Sequence, residues 1–148
     1  MIGKLLGIDH GLKRIGIAVS DATGIVAREL AIIHRTSNVE DFRRINQLAQ
    51  EQRVVAIVVG MPVNSEAAPG EYTQGDTVRK WITRFAATTT LPIITWDEQL
   101  SSLDARELSI QKKRKMRDPI DDLAARVILQ SYLDAVQSGL ASTPPLSS

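Results

Sequence analysis

LLGIDHGLKRIGIAVSD, Leu5 to Asp21, is the stretch from which the rest of the chain is read. Leu5, Leu6 and Ile8 are branched and apolar, Ile15, Ile17 and Val19 alternate with smaller residues, and the intervening HGLKR contains Gly11, as a hairpin loop requires. The pattern predicts two antiparallel strands with Asp9 at the end of the first. Aspartate is a poor strand former and is costly to bury alone, so a turn amide, a cationic side chain or a metal ion must satisfy it. An Asx-turn in which Asp9 caps the hairpin loop is the competing assignment.

Outward from the hairpin, Ala31 to Arg35 (AIIHR) predicts a third strand and hence a meander. Ser37 stands three residues before Glu40, a capping-box spacing. Phe42, Ile45, Leu48 and Ala49 then recur at helical intervals, with Arg43, Arg44, Gln47 and Glu51 on the other side. Val54 to Gly60, VVAIVVG, is β-branched without polar alternation, the mark of a strand covered on both faces. Met61 to Gly75 carries two prolines and two glycines and reads as a loop at the carboxyl end of that strand, where ligands of α/β sheets gather. A second helix follows on Val78, Trp81, Ile82, Phe85 and Ala86. Pro92 to Trp96 is a further buried strand that runs into Asp97 and Glu98, and Ser101 to about Ile110 is a short capped helix.

Composition narrows the chemistry. At 148 residues and 43% hydrophobic composition the chain has the size of one domain, expected over residues 1–138, with the small, proline-rich segment 139–148 expected to be a disordered tail. Lys and Arg number 18 against 17 Asp and Glu, so any basic surface must be local. The absence of cysteine removes disulfides, thiolate catalysis and thiolate zinc sites, and two histidines, His10 and His34, are too few for a histidine-built metal site. A metal ion, if used, is then held by carboxylates and is hard, Mg²⁺ or Mn²⁺. No apolar run is long enough to span a membrane and no signal-peptide pattern opens the chain, so a cytoplasmic location is expected.

The last predicted helix, Pro119 to about Ser138, discriminates between its own acids. Projected at 100° per residue, Ala124, Ala125, Ile128, Tyr132, Ala135 and Val136 share one arc, with Arg126, Gln130, Asp134 and Gln137 opposite. Asp121 falls in the middle of the apolar arc, where a charge is expensive unless paired, and Asp122 only at its edge. Capping is the alternative account, since Asp118 precedes Pro119 and an acid in the first turn favours the helix amides. Asp9, Glu98 and Asp121 thus come from two strand ends and a helix start, with Asp97 and Asp122 as alternates to their neighbours. Such a triad suits metal-assisted displacement at phosphorus, in which carboxylate oxygens hold the ion that activates water and neutralises developing charge. Lys112, Lys113, Arg114, Lys115 and Arg117 form a basic run sized for phosphate, or else a solvated linker.

Four blocks in this order, GIDHGLKRIGIAVSD, VVGMPVN, DEQLSSLDAREL and IDDLAARVILQSYLD, resemble the YqgF (RuvX) family of Holliday-junction-resolvase-like nucleases. Proteins of that family are assigned to maturation of the 5′ end of pre-16S ribosomal RNA. The resemblance covers about Leu5 to Tyr132. It implies an α/β, RNase H-like fold: a five-stranded mixed sheet with the hairpin strand central and helices on both faces. It also implies catalytic and metal-binding acids at Asp9, Glu98 and Asp121. Lys13 and Arg14 match the family's basic pair after the first glycine and join Lys112, Lys113, Arg114 and Lys115 as candidates for gripping nucleic acid. Arg106 matches an arginine of the third block. The segment after Asn64 is longer than in relatives, and Gln99 stands where an arginine is usual.

The expected activity is therefore a Mg²⁺- or Mn²⁺-dependent nuclease acting on structured RNA or branched DNA, as a monomer or homodimer with no membrane partner. The alternatives are a Holliday-junction resolvase-like DNase and a nucleic-acid-binding module whose acids are structural. An actin-like phosphotransferase, suggested by the D-x-G hairpin alone, is disfavoured because one lobe is too small to enclose a nucleotide.

Overall fold

The computed structural model describes residues 2–61, 74–97 and 120–144. Eight elements follow in order: β1 (Leu5–His10), β2 (Arg14–Ser20), β3 (Ala27–His34), α1 (Asn38–Gln52), β4 (Ala56–Met61), α2 (Gln74–Ala86), β5 (Ile93–Asp97) and α3 (Ile120–Gln137). The strands form one sheet of order β3-β2-β1-β4-β5, with β1–β2 and β2–β3 antiparallel and β1–β4 and β4–β5 parallel. The hairpin strand β1 is central, as the resemblance implied.

Strand alternation divides the core in two. Leu6 and Ile8 of β1, Ile57 and Val59 of β4, and Ile15, Ile17 and Val19 of β2 face Phe42, Ile45 and Ala49 of α1 and Val78, Trp81 and Phe85 of α2. Leu5, Ala18, Ala56 and Val58 face Ala125, Ile128, Leu129, Tyr132 and Leu133 of α3. Helices therefore cover both faces, which is why β4 is apolar without alternation. The helix over residues 38–52 is capped as expected: Glu40 N donates to Ser37 Oγ at 3.2 Å.

Several boundaries depart from the expectations. The hairpin loop is three residues, Gly11 to Lys13, because His10 and Arg14 stay in the ladder. A Cβ at Gly11 would stand 2.4 Å from the Arg14 carbonyl oxygen, so the tight turn needs glycine there. β3 begins four residues before the predicted Ala31, since Ala27 pairs with Ser20. Arg28 and Glu29 had concealed it by interrupting the apolar pattern. β4 begins at Ala56 rather than Val54, because Val54 N donates to Ala49 O and Val55 N to Lys4 O as the chain leaves α1.

The buried stripe on α3 is wider than the projected arc, taking in Val127, Leu129 and Leu133. Residues 139–144 turn back on α3: Leu140 N donates to Ala135 O at 2.8 Å, Tyr132 Oη to Ser142 O at 2.7 Å, and Pro144 is buried. The expected helix over 101–110, the basic run 112–117 and the greater part of the loop after β4 lie outside the described residues. Among the described residues no helix is long and apolar enough to cross a membrane.

Candidate active site

The parallel strands β1, β4 and β5 all point the same way, so His10, Met61 and Asp97 end on one edge of the sheet. Asp9 lies one residue inside that edge, paired with Gly16 of β2 and only 7% exposed. Its side-chain parity is that of Leu5 and Gly7, so it stands on the α3 side of the sheet.

α3 runs antiparallel to β1. Its carboxyl end lies at the β2–β3 turn, where Gln137 Nε2 donates to Gly24 O at 3.4 Å and Gln130 Nε2 to Ile25 O at 2.8 Å. That turn is beside the start of β1, since Gly3 N donates to Ala22 O. Further along, Gly7 lies directly beneath the helix: a Cβ there would come within 2.8 Å of Leu129 Cβ and 3.2 Å of Ala125 O. The two residues from Gly7 to Asp9 advance about 6.6 Å along the strand, equivalent to about four helical residues. Four residues before Ala125 is Asp121, in the first turn of α3. Backbone register thus sets the first turn of α3 abreast of Asp9.

His10 takes the opposite side. Its ring lies 4.9 Å from that of Trp81 and is 7% exposed, and its Nε2 accepts from Arg35 Nη1 at 3.2 Å. A guanidinium can only donate, so the imidazole is neutral with its proton on Nδ1. Burial, then the nearby Arg35 charge, pushes its pKa down to about 4. Arg35 also donates through Nε to Asp41 Oδ2 at 3.3 Å, through Nη2 to Asn38 Oδ1 at 2.9 Å and through Nη1 to Gly11 O at 3.3 Å. Asp41 is wholly buried and accepts from Thr36 N at 3.2 Å.

Of the residues singled out by sequence, Asp9 is buried one residue inside the carboxyl ends of the parallel strands, and Asp121 belongs to the first turn of α3. Lys13 is exposed in the hairpin loop and Arg14 half-buried at the start of β2. Glu98 follows the last residue of β5 but lies outside the described residues, as do Lys112, Lys113, Arg114 and Lys115. Among the described residues no three histidines or acids cluster closely enough to hold an ion. Sequence reasoning passed over Arg35, Asn38 and Asp41. The available signal was Asp41 itself, a charge four residues before Ile45 on the buried stripe of α1.

A mixed five-stranded sheet in the order 3-2-1-4-5, helices on both faces and an acid buried in the central strand define the RNase H-like class of nuclease folds. The fold matches that of Thermus thermophilus RuvC in complex with Holliday junction substrate, with a TM-score of 0.67 at 15% identity, covering 97% of this chain and 99% of that one. It also matches the large terminase nuclease of thermophilic phage G20c, with a TM-score of 0.55 at 11% identity over 87% of this chain and 81% of that one. The family model described as "RuvX: Holliday junction resolvase" matches residues 3–135, and the chain belongs to that family. Two relatives share the name "Putative pre-16S rRNA nuclease". One, from Thermoanaerobacter pseudethanolicus, is 40% identical over 89% of this chain and 96% of its own. The other, from Symbiobacterium thermophilum, is 38% identical over 97% of this chain and 98% of its own. By family and fold this is a nuclease, a hydrolase of phosphodiester bonds.

Proposed function

We propose that this chain is a divalent-metal-dependent nuclease that trims the 5′ end of precursor 16S ribosomal RNA in the cytoplasm, with Asp9, Glu98 and Asp121 as its catalytic acids. The observation that carries the proposal is the buried Asp9 on the central strand, on the sheet face covered by α3, with the first turn of that helix abreast of it. Glu98 is included because it directly follows β5, whose carboxyl end lies on the same edge of the sheet as that of β1. The same proposal takes residues 1–138 as the catalytic unit.

The donor set fits a hard cation. Asp9 offers oxygen, the chain has no thiol, and the neighbouring imidazole of His10 is turned to the other face with Nε2 engaged by Arg35. Asp9, Glu98 and Asp121 would hold Mg²⁺ or Mn²⁺, which when bound lowers the pKa of an attacking water and offsets charge on the reacting phosphate. The remaining work falls to the protein. Asp9 is held rigidly by the ladder to Gly16, the apolar sheet and α3 exclude bulk water behind it, and Lys13, Arg14 and the run Lys112, Lys113, Arg114 and Lys115 grip the phosphate backbone.

The test is cleavage of a 5′-labelled precursor rRNA fragment by wild type and Asp9→Asn with Mg²⁺ or Mn²⁺. Wild type is expected to cut, and the variant to lose at least about 1000-fold in rate while binding the RNA as before. Equal rates in the two proteins would sink the proposal. Because the family description names Holliday junction resolution, a four-way DNA junction is the competing substrate in the same assay. Faster cutting of the junction would favour the DNase reading, and binding without metal-dependent cutting of either substrate would favour a non-catalytic module.

A further inference from the structure

The tip of the β1–β2 hairpin is small and exposed, yet Arg35 grips it from both its backbone and its side chain. Arg35 N donates to Lys13 O at 2.9 Å, and its Nη1 reaches both Gly11 O at 3.3 Å and His10 Nε2 at 3.2 Å. The far side of the guanidinium is anchored in α1, to Asn38 Oδ1 at 2.9 Å and to the fully buried Asp41 at 3.3 Å. Every donor nitrogen of Arg35 is thus engaged within the protein, so the side chain is not built to meet a phosphate itself. What it supports does face outward: Leu12 is 79% exposed and Lys13 is exposed beside it. These residues follow Asp9 by three and four positions, on the same edge of the sheet.

We propose that Arg35 is a positioning residue for substrate binding that acts through Lys13: paired with buried Asp41, it fixes the hairpin tip so that the Lys13 ammonium meets a nucleic-acid phosphate next to the one presented at Asp9. The inference rests on the nuclease reading above and names the part of the fold that orders its substrate. A lysine on an unsupported three-residue loop must lose its freedom when it binds, whereas one on a loop whose Gly11 carbonyl is held by an anchored guanidinium has lost much of it already.

The experiment is a double-mutant cycle. Wild type, Arg35→Gln, Lys13→Ala and the double variant are titrated in EDTA into a fluorescein-labelled RNA hairpin carrying a 5′ extension, read by anisotropy, and amide hydrogen exchange is measured without RNA. Arg35→Gln is expected to weaken binding about fivefold alone and not measurably in the Lys13→Ala background, because a residue acting through another is non-additive with it. Exchange in the peptide spanning 10–14 should quicken at least about tenfold while that of β4 is unchanged. Independent, multiplying losses would mark Arg35 as merely structural and overturn the proposal, as would unchanged exchange at the tip. Should Arg35→Gln fail to fold, Asn38→Ala, which removes one anchor of the guanidinium, is expected to give smaller losses of the same pattern, and their absence is equally fatal. Wild type that binds neither RNA nor a four-way junction would sink the nuclease reading too, whereas equal binding by wild type and Arg35→Gln would sink this one alone.

Discussion

Asp9 and His10 are neighbours in sequence but serve opposite faces of the sheet. The two-residue period of a strand sends the acid toward α3 and the imidazole toward Trp81. A similar local economy governs Asp21 at the end of β2, where the carboxylate accepts from the Thr23 hydroxyl and from the amides of Ile25, at 2.9 Å, and Val26, at 3.1 Å. The Thr23 bond first and these amides next hold its pKa at about 2, below the ordinary 3.8. The ionised form is the one favoured by folding, so its contribution to stability is present above about pH 4 and is lost as pH falls toward 2. Carbon-13 titration of the Asp21 carboxyl should show a midpoint near 2 in wild type and a higher one in Thr23→Ala. A midpoint unmoved by that substitution would refute the assignment of cause.

At the scale of elements, the packing of α3 on the sheet depends on two glycines that behave differently. A Cβ at Gly7 would strike Leu129 Cβ and the Ala125 carbonyl, atoms tied to the helix axis, whereas one at Gly60 would chiefly strike Ile128 Cδ1, the end of a flexible side chain. Gly7→Ala is therefore expected to destabilise by about 2–3 kcal/mol and Gly60→Ala by about 1 kcal/mol, measurable by urea unfolding. The reverse order would mean that the helix yields more easily than the side chain. The sequence made α3 and β4 readable because their burial is written as periodicity and as an unbroken β-branched run. It made the buried Asp9 readable because that residue is a charge where an apolar residue belongs. It did not reveal the Arg35 clamp, since the partners of a buried charge are chosen by tertiary packing. It also concealed the start of β3, an edge strand whose exposed Arg28 carries no alternation, and the fold-back of 139–144, whose Tyr132–Ser142 bond has no periodic signature.

For the whole molecule, folding and metal binding are linked if the acids converge as proposed. An ion held only by the native state stabilises it in proportion to the logarithm of its concentration over Kd. Saturating Mn²⁺ is expected to raise the Tm of wild type by about 5 °C and to leave Asp9→Asn unchanged, in a calorimetric scan at fixed ionic strength. A rise of equal size in both proteins would show that the ion binds somewhere other than Asp9. The architecture around that acid has an asymmetric consequence. Glycine is the thinnest spacer available to a polypeptide, and at position 7 it brings the strand so close to the helix that an added Cβ would stand 2.8 Å from Leu129 Cβ. Mutation there can insert a shim but never remove one, so drift at this site can only lengthen the reach between Asp9 and the start of α3. If Asp9 and Asp121 act together as proposed, a graded series of Ala and Ser at position 7 would accordingly lower cleavage stepwise while both acids keep their identities.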